Sequence, residues 1–163
     1  MILVVAIGVL LVLSLVLPHV AVRGAGLGRS LLPAGFYFVN VQPAAFGASV
    51  DASLLAFGFN VAYLGLGLHQ FGLVLALTSF WCLYPEDINR WIWRIMVIGG
   101  WMLALSAPQV IAGRLLIGEA GVPATLGLAW VPALLSGLAL IIYGRRSKDR
   151  IDRSWYVTRP ELQ

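Results

Sequence analysis

The chain holds two histidines, His19 and His69, and these are the side chains with the widest chemical range in it. A neutral imidazole can ligate iron or hydrogen-bond a quinone carbonyl. His69 stands beside Gln70 and a few turns after Asn60, inside a long apolar run. An ionisable residue at membrane depth is by default a candidate for ligand binding or proton relay. The competing structural role is an interhelical hydrogen bond that ties a bundle together. A haem would need a second axial ligand, and only His19 is available. His19 lies just past the first apolar run, so if the run bearing His69 is one helix, the two depths do not match. The expectation is a structural His69, with a His19–His69 cofactor site as the alternative and no cofactor named.

Other polar residues invite smaller roles. Gln109 follows Pro108 and could satisfy a carbonyl freed by a kink. Arg114 and Glu119 are spaced to pair across a turn. Asp51, flanked by Ser49 and Ser53, reads as a helix N-cap, where a carboxylate oxygen accepts unpaired backbone N–H groups. The single cysteine, Cys82, excludes an intramolecular disulfide and Cys-pair metal or redox motifs. Residues 41–47 (VQPAAFG) and 59–62 (FNVA) look like fragments of the lipoprotein signal peptidase motifs, a resemblance of eleven residues. That family implies two catalytic aspartates, and Tyr63 stands where the second belongs, so the likeness brings no catalytic pair. No zinc motif, phosphate-cradling glycine loop or intramembrane carboxylate pair is present.

The elements that must position these residues are four apolar runs, at 1–17, 52–84, 91–117 and 122–143. A hydrocarbon core about 30 Å thick takes ~20 apolar residues to cross as a helix. With 60% apolar and 11% charged residues and a mean hydropathy of +0.91, the composition is far from that of a soluble domain. The fold class expected is an all-α membrane protein. Its four-transmembrane-helix bundle has helices at about 1–20, 52–84, 91–117 and 122–143, with an aromatic, Pro- and Gly-rich extracytoplasmic loop after the first helix. Residues 1–144 form one transmembrane domain and 145–163 a basic cytoplasmic tail. The first run reads as a retained helix and not a cleaved leader, because no basic residue precedes Arg23.

Within this frame, Pro18 closes the first helix and 23–30 is a flexible polar connection. Residues 31–50 form an interfacial loop with a short strand around 36–41. Run 52–84 is one long tilted helix and not a pair broken near Gly65–Gly67, and a kink falls near Pro108. The fourth helix carries Ala129, Ala133 and Gly137 on one face, a small-residue stripe suited to close helix packing.

Six of the eleven basic residues fall after position 144. Arg145, Arg146, Lys148 and Arg150 are placed to meet lipid headgroups, and the positive-inside rule puts both termini in the cytoplasm of a multi-pass cell-membrane protein. Nucleic acid is excluded as a partner because so short a tail makes no basic face. The function expected is an accessory or scaffold subunit of a larger membrane complex, respiratory or electron-transfer among the options, without its own catalytic site. The partners are the bilayer and other membrane subunits or further copies of the chain. The alternative is a small homo-oligomeric transporter or channel, or a haem- or quinone-binding protein using His69.

Overall fold

The structure is a computed structural model that describes residues 2–24, 28–33, 50–82 and 92–158. Four helices and three short strands follow in the order α1 (Ile2–Val16), β1 (Pro18–Gly24), β2 (Gly28–Pro33), α2 (Ala52–Cys82), α3 (Ile92–Glu119), β3 (Ala124–Leu126) and α4 (Trp130–Thr158). The chain is mostly helical, and α2 and α3 are the two helices long and apolar enough to cross a membrane.

The α2–α3 pair is the spine. Along α2 the buried positions Leu55, Gly58, Ala62, Gly65, His69, Gly72, Ala76 and Ser79 alternate at spacings of three and four. Along α3 the buried positions Ile92, Met96, Gly99, Leu103, Ser106, Val110, Gly113 and Ile117 do the same. That spacing keeps one seam of each helix facing its partner at a shallow crossing. The helices run antiparallel, since Gly58 packs on Ile117, Gly65 on Val110 and Gly72 on Leu103. Most of the α2 seam is Gly or Ala, which brings the two backbones close together. Such close backbone contact is the kind of packing that holds apolar helices together where burial of apolar surface contributes little.

A second row on α3 receives α4. A Cβ added at Gly100 would stand 2.7 Å from the Gly137 carbonyl oxygen, and one added at Gly137 would stand 2.6 Å from that of Gly100. Ala129 and Ala133 are fully buried on the same side of the α4 region. Packing continues to Gly144, which meets Val97 and the Trp93 carbonyl. Beyond that point α4 runs on through the basic segment to Thr158.

The three strands form an antiparallel sheet of order β2-β1-β3. Val20 and Val22 of β1 pack with Leu55, Phe59, Leu66, Val110 and Ile117, so the sheet covers one half of the spine. The other half is covered by α1 and α4, where Ile7 and Leu11 join Ala76, Met96, Leu103 and Leu140. The end of α3 is closed by a left-handed glycine, Gly121 (φ 89°). The N–H of Gly121 donates to Gly118 and that of Val122 to Ile117. This is the paired-bond glycine termination of helices, with Ile117 and Val122 supplying its buried apolar contact.

Asp51 caps α2 as expected. Its Oδ1 accepts from the Ser53 and Leu54 N–H groups, each at 3.0 Å, and from the Ser53 hydroxyl at 2.7 Å. The bond from the Leu54 N–H foremost, then that from the Ser53 hydroxyl, holds the carboxyl below its ordinary range. The cap therefore supports the helix above the normal carboxylate pKa and is lost as pH falls through the lowered one.

Several boundaries differ from expectation. The first helix ends at Val16 and not near 20, because Pro18 has no N–H to extend it and opens a strand instead. The connection at 23–30 is part of a hairpin in which Gly24 pairs with Gly28. Residues 122–129 are not helical, because Gly121 turns the chain and β3 pairs with β1, so the fourth helix begins at Trp130. Run 52–82 is unbroken at Gly65 and Gly67. At about 1.5 Å per residue, α1 is about 22 Å long and the apolar part of α4, 130–143, about 21 Å, against about 46 Å for α2. Among the described residues two helices are both long and apolar enough to count as candidate spans, and the expected bundle of four is not established. The expected strand at 36–41 lies outside the described residues.

The glycine contacts separate two substitutions of the same kind. Gly137→Ala forces the α3–α4 backbones apart and lowers the melting temperature of the detergent-solubilised protein. Gly67→Ala meets nothing within 4 Å and leaves the melting temperature unchanged or raises it, since alanine costs the helix about 0.5–1 kcal/mol less than glycine.

Candidate functional site

The switch from α1 to β1 falls beside the middle of α2. α1 closes with the Leu17 N–H on the Leu13 carbonyl, and Pro18 lacks the donor that a further turn would place on the Ser14 carbonyl. Strand pairing then shifts register between Pro18 and Val20. A bulge of this kind re-aims a side chain that regular alternation would turn outward. His19 and Val20 are accordingly both buried, at 0% and 1% exposure. The backbone around the bulge is clamped from the other side. The Gly127 N–H donates to the His19 carbonyl at 2.9 Å and the Ala129 N–H to that of Pro18 at 3.2 Å. Gly127 sits so close to the Pro18 carbonyl that any Cβ would overlap it.

His69 comes to the same place from the α2 seam. It is the one imidazole in a row of mostly Gly and Ala, and it is fully buried. Its ring lies 5.0 Å from that of His19, centroid to centroid, with planes inclined by 71°. The expected mismatch of depth does not occur even though α2 is continuous. The chain leaves α1 early and β1 carries on along the spine.

Ser14 joins the two rings. Its hydroxyl donates to the Leu11 carbonyl at 2.8 Å and stands 2.9 Å from His69 Nε2. A hydroxyl has one proton, so Nε2 must be the donor in the second bond. In the neutral ring His69 is then the Nε2–H tautomer, with the lone pair on Nδ1. That Nδ1 and both nitrogens of His19 are buried without a hydrogen-bond partner. The Ser14 backbone carbonyl lies beside the His19 ring without reaching hydrogen-bond geometry. One residue thus presents its side chain to one histidine and its backbone carbonyl to the other.

The remaining sequence candidates disperse. Asn60 and Gln70 lie on exposed faces of α2. Gln109 turns inward against Gly65, one turn along the spine from His69, with its Oε1 buried and unpartnered. Arg114 donates through Nε to the Ala124 carbonyl at 3.0 Å, stapling α3 to β3, while Glu119 is exposed. Arg145, Arg146 and Lys148 are exposed where α4 leaves the bundle, and Lys148 and Arg94 both approach the Trp93 ring, at 5.5 and 5.4 Å. The side chain of Arg150 lies outside the described residues.

A buried imidazole pair of this kind has limited uses. A haem sandwiched by both rings would hold them coaxially about 6 Å apart with a macrocycle between, given iron–nitrogen bonds of about 2 Å. The observed contact is closer and inclined. Among the described residues no cluster of three or more His, Cys, Asp or Glu surrounds the pair. What the site can do is offer ring-nitrogen lone pairs to something small in a fully buried setting. The missed signal was the seam itself: a histidine in register with glycines and alanines on one helix face must point inward. No protein-family model matches the chain, and neither the curated proteins nor the solved structures yield a match to it.

The Ser14–His69 bond is open to a double-mutant cycle. Ser14→Ala and His69→Leu each lower stability, and the pair together costs less than the sum, with a coupling of about 0.5–1.5 kcal/mol in chemical or thermal unfolding. Strict additivity would remove the bond from the site.

Proposed function

We propose that the chain is a multi-pass protein of the cell membrane that serves as the membrane subunit of a larger assembly and holds a small polar ligand at its His19–His69 pair. The observation that carries this reading is the pair itself. Residues far apart in sequence meet in an apolar interior and bury three ring nitrogens that complete no hydrogen bond within the chain, the Ser14 carbonyl lying beside His19. A buried donor or acceptor left unmade costs about 1–3 kcal/mol, and a ligand on these atoms would offset that cost. Two neutral imidazoles suit binding more than acid–base turnover, which accords with a subunit that serves a partner's chemistry. An electron-transfer complex is one host in which imidazole ligation has a use.

Membrane placement is supported by the outer surface. On α2, Phe57, Leu64, Phe71, Val74 and Leu77 are exposed, as are Ile98, Trp101, Leu105 and Leu115 on α3. From Phe57 to Leu77 the helix rises about 30 Å, the thickness of a hydrocarbon core. The exposed valines and leucines of α1 extend the same girdle. Sidedness is supported by the basic end of α4, which leaves the bundle at the level of Trp93, where an aromatic ring and cations suit the headgroup region. On this reading both termini lie in the cytoplasm.

Two measurements test these parts separately. A C-terminal tag stays intact when whole cells are treated with protease and is cut once the membrane is opened; cleavage in intact cells would reverse the topology. Native mass spectrometry from mild detergent shows a non-lipid mass on the wild-type chain, alone or with its co-purifying subunits, that His19→Phe and His69→Leu lose. A wild-type chain that travels alone and empty would end the subunit and ligand readings together.

A further inference from the structure

Resting on the membrane placement above, and independent of the histidine pair, we infer that one anionic phospholipid binds in the groove between α3 and α4. Its phosphate lies among Arg94, Arg145 and Lys148, beside Trp93, and an acyl chain follows the groove toward the middle of the bundle. Trp93 stands where α4 leaves the bundle. Gly144 has no side chain, so α4 lies directly on the Trp93 carbonyl and on Val97. From there Arg94 and Lys148, on different helices, reach the same indole, at 5.4 and 5.5 Å from its centroid. Cations at such distances are drawn to the ring face. Arg145, next to Gly144, adds a further exposed charge. The described carboxylates, Asp51 and Glu119, lie at the opposite end of the α2–α3 spine, where the Asp51 N–H donates to the Ala120 carbonyl. The corner thus gathers positive charge that an anion balances.

What selects a lipid over a soluble anion is the surface leading away from the charges. Along α3 the exposed Ile98, Trp101 and Leu105 follow Arg94 at spacings of four, three and four. Along α4 the exposed Ile142, Leu138 and Leu135 lead back from Arg145 at spacings of three, four and three. Such spacings keep each set on one face of its helix. α2 packs on the Gly99–Leu103 side of α3, and α1 on the Leu140 side of α4. Both exposed faces therefore open on the free side of the α3–α4 pair and form the two walls of one groove. From Arg145 to Leu135 the helix rises about 15 Å, half of a ~30 Å hydrocarbon core. α4 begins only a few residues further on, at Trp130. A wall one leaflet deep, with cations at its outer end, has the length and polarity of a phospholipid. A spanning partner helix would find the α4 wall missing along half its length.

Basic pockets between helices on the cytoplasmic side of a membrane take anionic headgroups. A zwitterionic headgroup brings its own ammonium into the cluster and loses there what its phosphate gains. The selectivity is therefore for a net negative lipid.

The test uses the full-length protein in nanodiscs of phosphatidylcholine with a minority of phosphatidylglycerol. Native mass spectrometry then finds one phosphatidylglycerol retained per chain, enriched at least about tenfold over its share of the disc. Arg94→Gln, Arg145→Gln and Lys148→Gln each lower that enrichment about fivefold. Arg146, two positions beyond Gly144 and so on the face of α4 turned from α3, is exposed, and Arg146→Gln costs less than any of the three. No enrichment, or an equal loss in all four variants, overturns the site, and so does displacement of the lipid by excess glycerol phosphate. Brominated-chain phosphatidylglycerol quenches a component of tryptophan fluorescence that brominated phosphatidylcholine at the same fraction leaves bright, and Trp101→Phe removes that component. Without it, the acyl chain is not in the groove and the inference fails. A chain that does not enter the disc refutes the membrane placement and the site together; one that enters without enrichment refutes the site alone.

Discussion

The close antiparallel contact of α2 with α3 is the constraint on which the remaining structure hangs. Gly58, Gly65 and Gly72 recur every seven residues on one helix and meet the facing row of the other at backbone distance. If the pair lies in a bilayer as proposed, two apolar helices gain little by hiding such surface from lipid tails as apolar as leucine. What they gain is dense contact, and only small residues allow the backbones near enough for it. Once that spine exists, its two halves offer different surfaces. One half takes α1 and α4, the other takes the sheet, and the two cores meet at the level of His69.

A histidine in that seam has a cost that an alanine would not have. It brings polar atoms into a fully buried seam, where unmade hydrogen bonds are expensive. The chain answers only part of that cost. Buried Ser14, Ser106 and Ser136 each return their hydroxyl proton to a carbonyl three residues back in their own helix. Of these, Ser14 also accepts from His69. Ser106 and Ser136 are thereby self-contained, while the imidazoles are not. The serine hydroxyls that a helix can satisfy locally have been satisfied, while three of the remaining buried polar atoms meet at the His19–His69 pair and Gln109 Oε1 lies one turn away.

Much of the spine was legible in the sequence, and the reason is physical. Apolar length and small-residue spacing are local properties, so α2, α3 and the Ala129, Ala133 and Gly137 stripe could be located by reading along the chain. Asp51 was legible for the same reason, since an N-cap involves only the next few residues. The sheet was not legible. β3 is three residues long and β1 follows an apolar helix without a break in hydropathy, so its pairing depends on contacts with residues a hundred positions away. The meeting of His19 with His69 was lost with it, because the depth argument assumed that the first helix ran on past Pro18.

That assumption also hid the connection between chain direction and chemistry at this point. A proline at position 18 ends α1, and the same missing N–H leaves the Ser14 carbonyl without a helical partner. The register shift that follows turns His19 inward instead of outward. Gly127 then permits the β3–α4 connection to lie directly on the Pro18 carbonyl and hold the bulge in place. Had the helix continued, the carbonyl would be bonded within α1 and residue 19 would follow helical periodicity. The end of one secondary structure and the assembly of the imidazole pair are therefore one event. It is set by a ring that cannot donate a proton and by a glycine with no side chain to obstruct it.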